Sequence, residues 1–311
     1  MAASPPATEL SVVVVTWECA GALAELVETM SRLAAGAELI VVDNASSDHP
    51  GTALAGWTGS STLIRRADNA GYGVAANEGV AAARHEAIVL LNPDTHLLDD
   101  GLPGLARFAV ERGVLAGPRV VNPDGSLQAS ASGAPTGAWP WVGALIPGRL
   151  QPGPIRRRAE PWRLRRPARV CWLAGSCVAG ARTALRALGP FDPAIHLYGE
   201  DMDLGLRAAE AGIESWIVPD LCAISHEGRR SSSIRFAEGP EPRIELTRRA
   251  VVRRAAGPRR EHAGWLARRL NLRLRTAAKR LLGRDATRDR AALDAARAAR
   301  EVPALPGGAC R

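Results

Sequence analysis

Short β-branched runs alternate with helix-periodic segments through the first ninety residues of this chain, and few folds accept that rhythm. It is the signature of β-α-β units, so a largely parallel sheet covered by helices is expected. Leu10–Val15 is a β-branched run, apolar but for Ser11, as expected for a strand buried on both faces. Leu23, Leu26, Val27 and Met30 share one helical face and predict a helix from about Gly21 to Leu33, stopped by Gly36. Leu39–Val42 reads as a second strand, Leu63-Ile64 as a weak third, Gly73 to about Arg84 as a helix and Ala87–Leu91 as a strong strand.

Asn122-Pro123-Asp124-Gly125 between apolar runs predicts a hairpin, so the sheet is expected to become mixed at that point. Residues 133–169 carry many Pro and Gly with Trp139, Trp141 and Trp162 and show no periodicity. A segment of that length without regular structure reads as a lid or binding loop sooner than a linker. Regularity returns over Val170–Gly180, followed by a short helix, the turn Gly189-Pro190-Phe191-Asp192, a helix from about Asp201 to Ala211, and strands near 216–218 and 222–224. Beyond residue 245 the pattern is Arg- and Ala-rich helix.

At 46% apolar and 23% charged, 311 residues can bury a full core, which excludes a disordered chain. No apolar run approaches the roughly 18 residues of a membrane span, and the first residues lack a signal-peptide pattern, so a cytosolic protein is expected. Five scattered cysteines without a C-x-x-C pair read as free thiols. From residue 241 onward there are 19 Lys and Arg against seven acids, whereas the rest of the chain is slightly acidic. The positive charge therefore sits in the tail and predicts attraction to anionic surfaces.

In doubly wound sheets ligands bind at the carboxyl ends of the strands. Thr16, Asp43-Asn44 and Asn92-Pro93-Asp94 each follow an apolar run, so three strand ends offer polar groups to one edge. Asp94 beside Asn92 suits Mg²⁺ or Mn²⁺ when a ligand supplies phosphate oxygens. Asn69, Gly71, Gly73 and Asn77 suit close backbone approach and an anion at a helix start, although such a stretch is also an ordinary helix entry. Glu200, Asp201 and Asp203 crowd a helix start; the dipole favours one or two acids there, and crowding suits a general base. His226 closes another strand, and the residues alone leave it open between a structural role and metal ligation.

The ordered series Val13-Val14-Val15-Thr16, Val42-Asp43-Asn44-Ala45-Ser46-Ser47-Asp48, Asn69-Ala70-Gly71-Tyr72-Gly73 with Asn77, Leu91-Asn92-Pro93-Asp94, Gly189-Pro190-Phe191-Asp192, Tyr198-Gly199-Glu200-Asp201-Met202-Asp203-Leu204 with Arg207, and His226-Glu227-Gly228 with Ser231 resembles family 2 glycosyltransferases, and within them the rhamnosyltransferase-like branch. The resemblance runs from about residue 10 to 235. It implies a GT-A fold: a Rossmann-like mixed α/β sheet flanked by helices over residues 8–240, with 133–169 as acceptor or lid loop and 241–311 as a basic helical C-terminal extension.

The resemblance further implies inverting transfer from a nucleotide sugar, dTDP- or UDP-linked, to a lipid-linked or glycan acceptor, with rhamnose as the favoured sugar. Position by position, Thr16 and Asp43 would face the nucleoside, and Asn69, Gly71, Asn77 and Asn92 would line the donor. Asp94 and His226 would hold Mg²⁺ or Mn²⁺. Asp201 would be the base, Glu200 would orient the acceptor, and Trp172 and Tyr198 would contact it. The chain reads Thr16-Trp17-Glu18 where the family usually has Thr-Tyr-Asn, and Asn92 stands where the first acid of the D-x-D is usual. The Arg-rich tail, with Trp265, Leu266, Leu270, Leu272, Leu274, Leu281 and Leu282, is amphipathic in part and would dock on the anionic inner face of the cell membrane, or else form a solvated helical extension packed on the catalytic domain or on a second subunit. Nucleic acid is not expected as a partner, because no stacking or groove-reading motif accompanies the arginines. A sugar-phosphate nucleotidyltransferase would want a glycine-rich basic loop after the first strand. A non-catalytic scaffold would have no use for the full set of acids.

Overall fold

The computed structural model describes residues 9–146, 150–189, 191–195, 198–227 and 242–299. Pro190, Gly228, Ser231 and Cys310 lie outside the described residues. The first half contains β1 (Leu10–Thr16), α1 (Ala20–Leu33), β2 (Glu38–Asp43), β3 (Ser61–Arg65), α2 (Tyr72–Ala82), β4 (Ala87–Leu91), β5 (Thr95–Leu97), α3 (Leu102–Arg112), β6 (Leu115–Gly117), β7 (Arg119–Val121) and β8 (Ala131–Ser132). Then follow α4 (Trp139–Leu145), α5 (Gly153–Ala159), β9 (Ala168–Val170), β10 (Trp172–Leu173), β11 (Cys177–Ala181), α6 (Arg182–Leu188), α7 (Glu200–Glu210), β12 (Ser215–Ile217) and β13 (Ala223–His226). Three helices close the described chain: α8 (Pro242–Ala256), α9 (Pro258–Leu281) and α10 (Thr287–Ala298).

Eight strands form one sheet in the order β3-β2-β1-β4-β11-β6-β12-β9. Every residue of β1 is buried, because alternate valines enter opposite layers. Val12 and Val14 pack with Leu23 and Leu26 of α1 and Leu105 of α3, whereas Val13 and Val15 pack with Val80 of α2. Each such side chain contributes about 1.5–3 kcal/mol of burial, which is why the strand is specified so strongly. β1 runs parallel to β2 and β4, and β2 parallel to β3, with Thr16 level with Asp43 and Val14 level with Leu91. The polar residues after these strands therefore emerge along one edge.

The sheet becomes mixed at β11, which runs antiparallel to both β4 and β6. This corrects the expectation that the Asn122–Gly125 hairpin would do so. That hairpin does form, with Asn122 N–H donating to Ser126 O at 2.7 Å and Gly125 at φ 78°. Its strand β7, however, pairs with β13 in a separate three-stranded sheet. The reversal matters for the site, because an antiparallel β11 starts where its neighbours end and delivers Gly175 and Ser176 to the same edge.

Residues 133–169 are also more regular than their composition suggested, since they hold α4, α5, a 3-10 turn at Pro161–Arg163 and β9. Tertiary contact supplies what local periodicity lacks: Asn271 of α9 donates to the Gly143 carbonyl of α4, and Arg158 of α5 lies over the Trp139 ring.

Helix α8 packs on α7. Ile195, Met202, Val251 and Val252 form a small apolar cluster capped by Trp172 and Leu206. Gly199, at φ 101°, precedes α7, and a Cβ there would sit 3.1 Å from Thr247 Cγ2 of α8. At Gly205 a Cβ would lie 2.4 Å from Trp172 Cβ, so only glycine lets β10 cross α7 this closely. Arg254 of α8 pairs with Asp192 and Asp203, and Asp203 also accepts from Arg207 Nε at 2.7 Å. The third acid of the crowded helix start is thus neutralised by two guanidinium groups. Cys19, Cys171, Cys177 and Cys222 are free thiols. No described helix is long and apolar enough to cross a membrane.

Candidate active site

A cleft of about 370 Å³ opens at the carboxyl ends of β1, β2 and β4 and the start of β11. Of the residues expected there, Asn69, Gly71, Asn92, Tyr198, Glu200, Asp201 and His226 line it. Asn69 Oδ1 accepts from Asn44 Nδ2 at 2.7 Å and from Gly71 N–H at 3.1 Å, which fixes the entry to α2. Asp43 is buried beside the cleft; its Oδ1 accepts from Ser46 N–H at 2.9 Å and its Oδ2 lies 3.6 Å from Arg65 Nε. Thr16 is fully buried with Oγ1 3.2 Å from Cys19 Sγ, so Trp17 and not Thr16 supplies the wall. The unusual Glu18 has a structural use: its carboxylate accepts from Ser47 N–H at 2.8 Å and Ser47 Oγ at 3.0 Å, tying the loop after β2 to the loop after β1.

Two expected contacts are placed elsewhere. Asn77 Nδ2 donates to Phe191 O at 2.8 Å and its Oδ1 accepts from Phe191 N–H at 3.0 Å, so this side chain clamps the loop before α7 and does not line the cleft. Trp172 lines a second cavity on the far side of α7. A helix face offers several directions, and motif position alone does not choose among them.

Asp94 is buried, and His226 Nε2 lies 3.2 Å from its Oδ1. The tautomer follows from the neighbours. Gln128 Nε2 donates to Asn122 Oδ1 at 3.0 Å and to His226 O at 3.2 Å, so Gln128 Oε1 must accept from His226 Nδ1 at 2.9 Å. The Nε2 lone pair then faces Asn92 Nδ2 at 3.3 Å and the Asp94 carboxylate. Two acceptors this close require a proton or a cation between them, and a carboxylate with an imidazole nitrogen is a donor set that a divalent ion accepts. Asp94 and His226 thus fit a metal whose remaining positions come from ligand oxygens and water. A separate group, Glu25, His96 and Glu227, also gathers ligand atoms within 4.8 Å of one another.

Glu200 and Asp201 stand across the cleft. Burial raises the Glu200 carboxyl well above the usual range, and the charge of Asp201 raises it further. Burial also raises Asp201, but the N–H groups of Met202 and Gly175, at 2.7 and 3.3 Å, and the Arg248 guanidinium favour its anion. The pair therefore divides its labour, with Glu200 the better holder of a proton and Asp201 the better acceptor. Glu200 Oε2 is buried without a hydrogen-bond partner among the described residues. Tyr72, packed edge-on against Phe191 at 5.3 Å, also lines the cleft, and burial with the two acids raises its phenol.

A carboxyl raised on folding lends stability below its unfolded pKa and loses it as pH rises through the folded value. Glu200→Gln should therefore unfold at a higher temperature than the wild type at alkaline pH, by on the order of 2 kcal/mol near pH 9, and converge with it near pH 5. Thermal midpoints across that range check this; parallel curves would show that Glu200 is not held protonated.

Asn44, Tyr72, Gln128 and Arg248 were not singled out as site residues from sequence. Asn44 and Tyr72 sit inside quoted motifs and were within reach, whereas Gln128 and Arg248 carry no local signal.

The family model described as Glycosyl transferase family 2 matches residues 11–178. A Mycobacterium tuberculosis protein named N-acetylglucosaminyl-diphospho-decaprenol L-rhamnosyltransferase is 29% identical over 216 residues, covering 61% of this chain and 66% of its own. The chain thus spans just under two thirds of that relative. Among solved structures, the mannosyltransferase PcManGT from Pyrobaculum calidifontis, in complex with GDP-Man and Mn²⁺, is similar with TM-score 0.57 and 17% identity over 95% of this chain and 76% of that one. GalNAc-T7 with UDP, GalNAc and Mn²⁺ has TM-score 0.56 and 19% identity over 78% of this chain and 48% of that one. These likenesses identify the mixed sheet and its flanking helices as a GT-A fold. With the family model covering more than half of its length and the strand-end acids where that family's motifs run, this chain belongs to glycosyl transferase family 2.

Proposed function

We propose that this protein is an inverting glycosyltransferase that moves a sugar, with rhamnose from a dTDP or UDP donor favoured, onto a lipid-linked or glycan acceptor in cell-wall or surface polysaccharide synthesis. The observation that carries the reading is that one cleft is lined both by the Glu200–Asp201 carboxyl pair and by His226, whose Nε2 meets the buried Asp94. Asp201 takes the proton of an acceptor hydroxyl, whose oxygen attacks the anomeric carbon as the carbon–oxygen bond to the diphosphate breaks on the opposite face. Glu200, holding its proton, donates to the acceptor and orients it. Asn44, Asn69 and Gly71 line the donor side, and Trp17 gives it an aromatic wall. Asp94 and His226 would hold a divalent cation, which would supply positive charge beside the diphosphate leaving group.

The catalytic unit takes in residues 8–240, with 133–169 on the acceptor side and 241–311 as its extension. Manganese is favoured over magnesium because an imidazole is a poor ligand for the harder ion. Gln128→Leu, which removes the partner that orients His226, should weaken Mn²⁺ binding about 10- to 100-fold in the presence of nucleoside diphosphate, as read by Mn²⁺ paramagnetic resonance. Unchanged affinity would take His226 out of the metal site. Exposed Leu266, Leu274, Leu281 and Leu282 lie among arginines along α9 and its end, which supports docking on an anionic membrane face.

A thermal-shift panel of nucleotide sugars with and without Mn²⁺ tests the reading, since a ligand that binds only the folded chain raises its midpoint. The expected result is a metal-dependent rise with dTDP-rhamnose or a UDP-sugar. No rise with any nucleotide sugar would overturn it.

A further inference from the structure

Glu25 of α1, His96 of β5 and Glu227, immediately after β13, come together outside the cleft, whose lining includes none of them. Three separate pieces of chain are needed to do this. β5 and β13 run antiparallel with Ser225 level with His96, and the Glu227 N–H donates to the Asp94 carbonyl at 3.1 Å, which carries the pairing one step further. The Leu97 N–H meets Thr29 Oγ1 at 3.4 Å, so α1 lies along β5 with Glu25 one turn before the contact. Backbone structure therefore sets all three positions. The side chains of Glu25, His96 and Glu227 are 43%, 28% and 24% exposed, so an ion from solvent reaches them.

Their spacing is that of ligands sooner than of an ion pair. His96 Nε2 lies 3.4 Å from Glu25 Oε2 and 3.8 Å from Glu227 Oε1, whereas a charge-assisted hydrogen bond closes to about 2.7–2.9 Å. The ligand atoms of all three fall within 4.8 Å of one another. Around a tetrahedral zinc, ligand atoms at about 2.0–2.2 Å from the ion stand about 3.4 Å apart, so the gap takes that ion with little movement. Two carboxylate charges balance one divalent cation, and the imidazole selects zinc over magnesium or calcium, which want more oxygens than these residues offer. We propose that Glu25, His96 and Glu227 form a second metal site, filled by Zn²⁺ with water in the fourth position, that ties α1 to the strand ends carrying Asp94 and His226. His96 stands two residues after Asp94 and Glu227 one after His226, so the ion braces the β5-β13-β7 sheet from outside the cleft. The glycosyl-transfer reading is not required, since zinc would bind a chain with no transferase activity.

Zn²⁺ itself is the probe, titrated into the full chain without nucleotide against a chromophoric chelator. The wild type should take up one tight equivalent and gain thermal midpoint with it. Glu25→Gln and His96→Gln should each weaken uptake by more than the roughly 10–100-fold that loss of an outer partner of a metal ligand costs, and should lose the rise in midpoint. Asp94→Asn, at the cleft, should keep both. Equal zinc affinity in the wild type, Glu25→Gln and His96→Gln overturns the proposal, as does the absence of any tight equivalent. Anomalous diffraction at the zinc edge locates the ion in the wild type with no substitution at all. A peak among the three side chains is expected; a peak only at Asp94 and His226, or at a cysteine, overturns the proposal. Nucleotide-sugar binding is read separately: its failure would sink the proposed function and leave zinc uptake standing, and failure of zinc uptake would leave the function standing.

Discussion

Asp201→Asn lowers kcat by about 10²–10⁴-fold, the worth of a positioned general base, while nucleotide-sugar affinity stays within about twofold. The amide is nearly isosteric, and its oxygen can still accept from the Met202 N–H that holds the carboxylate at 2.7 Å. Its NH₂ cannot take a proton. The cleft's donor side, at Asn44, Asn69 and Gly71, does not touch the substituted group, so binding and turnover should separate. Because burial raises Asp201, wild-type kcat/KM should climb with pH through a value above the ordinary carboxylate range, as the base becomes an anion. Single-turnover rates of the variant, alongside donor binding, check the first part; the pH profile checks the second. Full turnover in Asp201→Asn would assign the base elsewhere.

Asp203→Ala destabilises the fold by about 3–5 kcal/mol, as loss of one partner from a buried ion pair does. The carboxylate is 2% exposed and lies between Arg207 and Arg254, so alanine leaves two guanidinium groups to share the counter-charge of Asp192. Denaturant titration measures the loss, and hydrogen exchange along α8 should accelerate first, because Arg254 is its anchor to α7. A loss under 1 kcal/mol would mean that water reaches the pair and screens it.

The parts of the fold legible in sequence are those whose signal is local. β1, β2 and β4 announce themselves because both faces are buried and their central positions, Val12–Val15, Leu39–Val42 and Ala87–Leu91, are all apolar. Asp94, Glu200, Asp201 and His226 were legible because strand ends and a helix start are themselves readable. The sense of β11 was not, since Cys-Val-Ala-Gly-Ala carries no mark of direction and its partner is chosen by the sheet. α4 and α5 were hidden by Pro and Gly; α4 is held by packing against α9, and α5 meets α4 through Arg158 over Trp139. The full bracing of Asp203 was not legible for a related reason: of the two guanidinium groups that neutralise it, Arg254 stands 51 residues later, in the Arg-rich tail.

That pairing has a consequence for descent. Asp192, Asp203 and Arg254 balance one another's charge, although two of them sit in the sheet-bearing part and one in the tail. A lineage that trades its C-terminal helices for those of a cousin would import the wrong counter-charges and leave the first turn of α7 without its brace. Tail and catalytic body are therefore bound to diverge together.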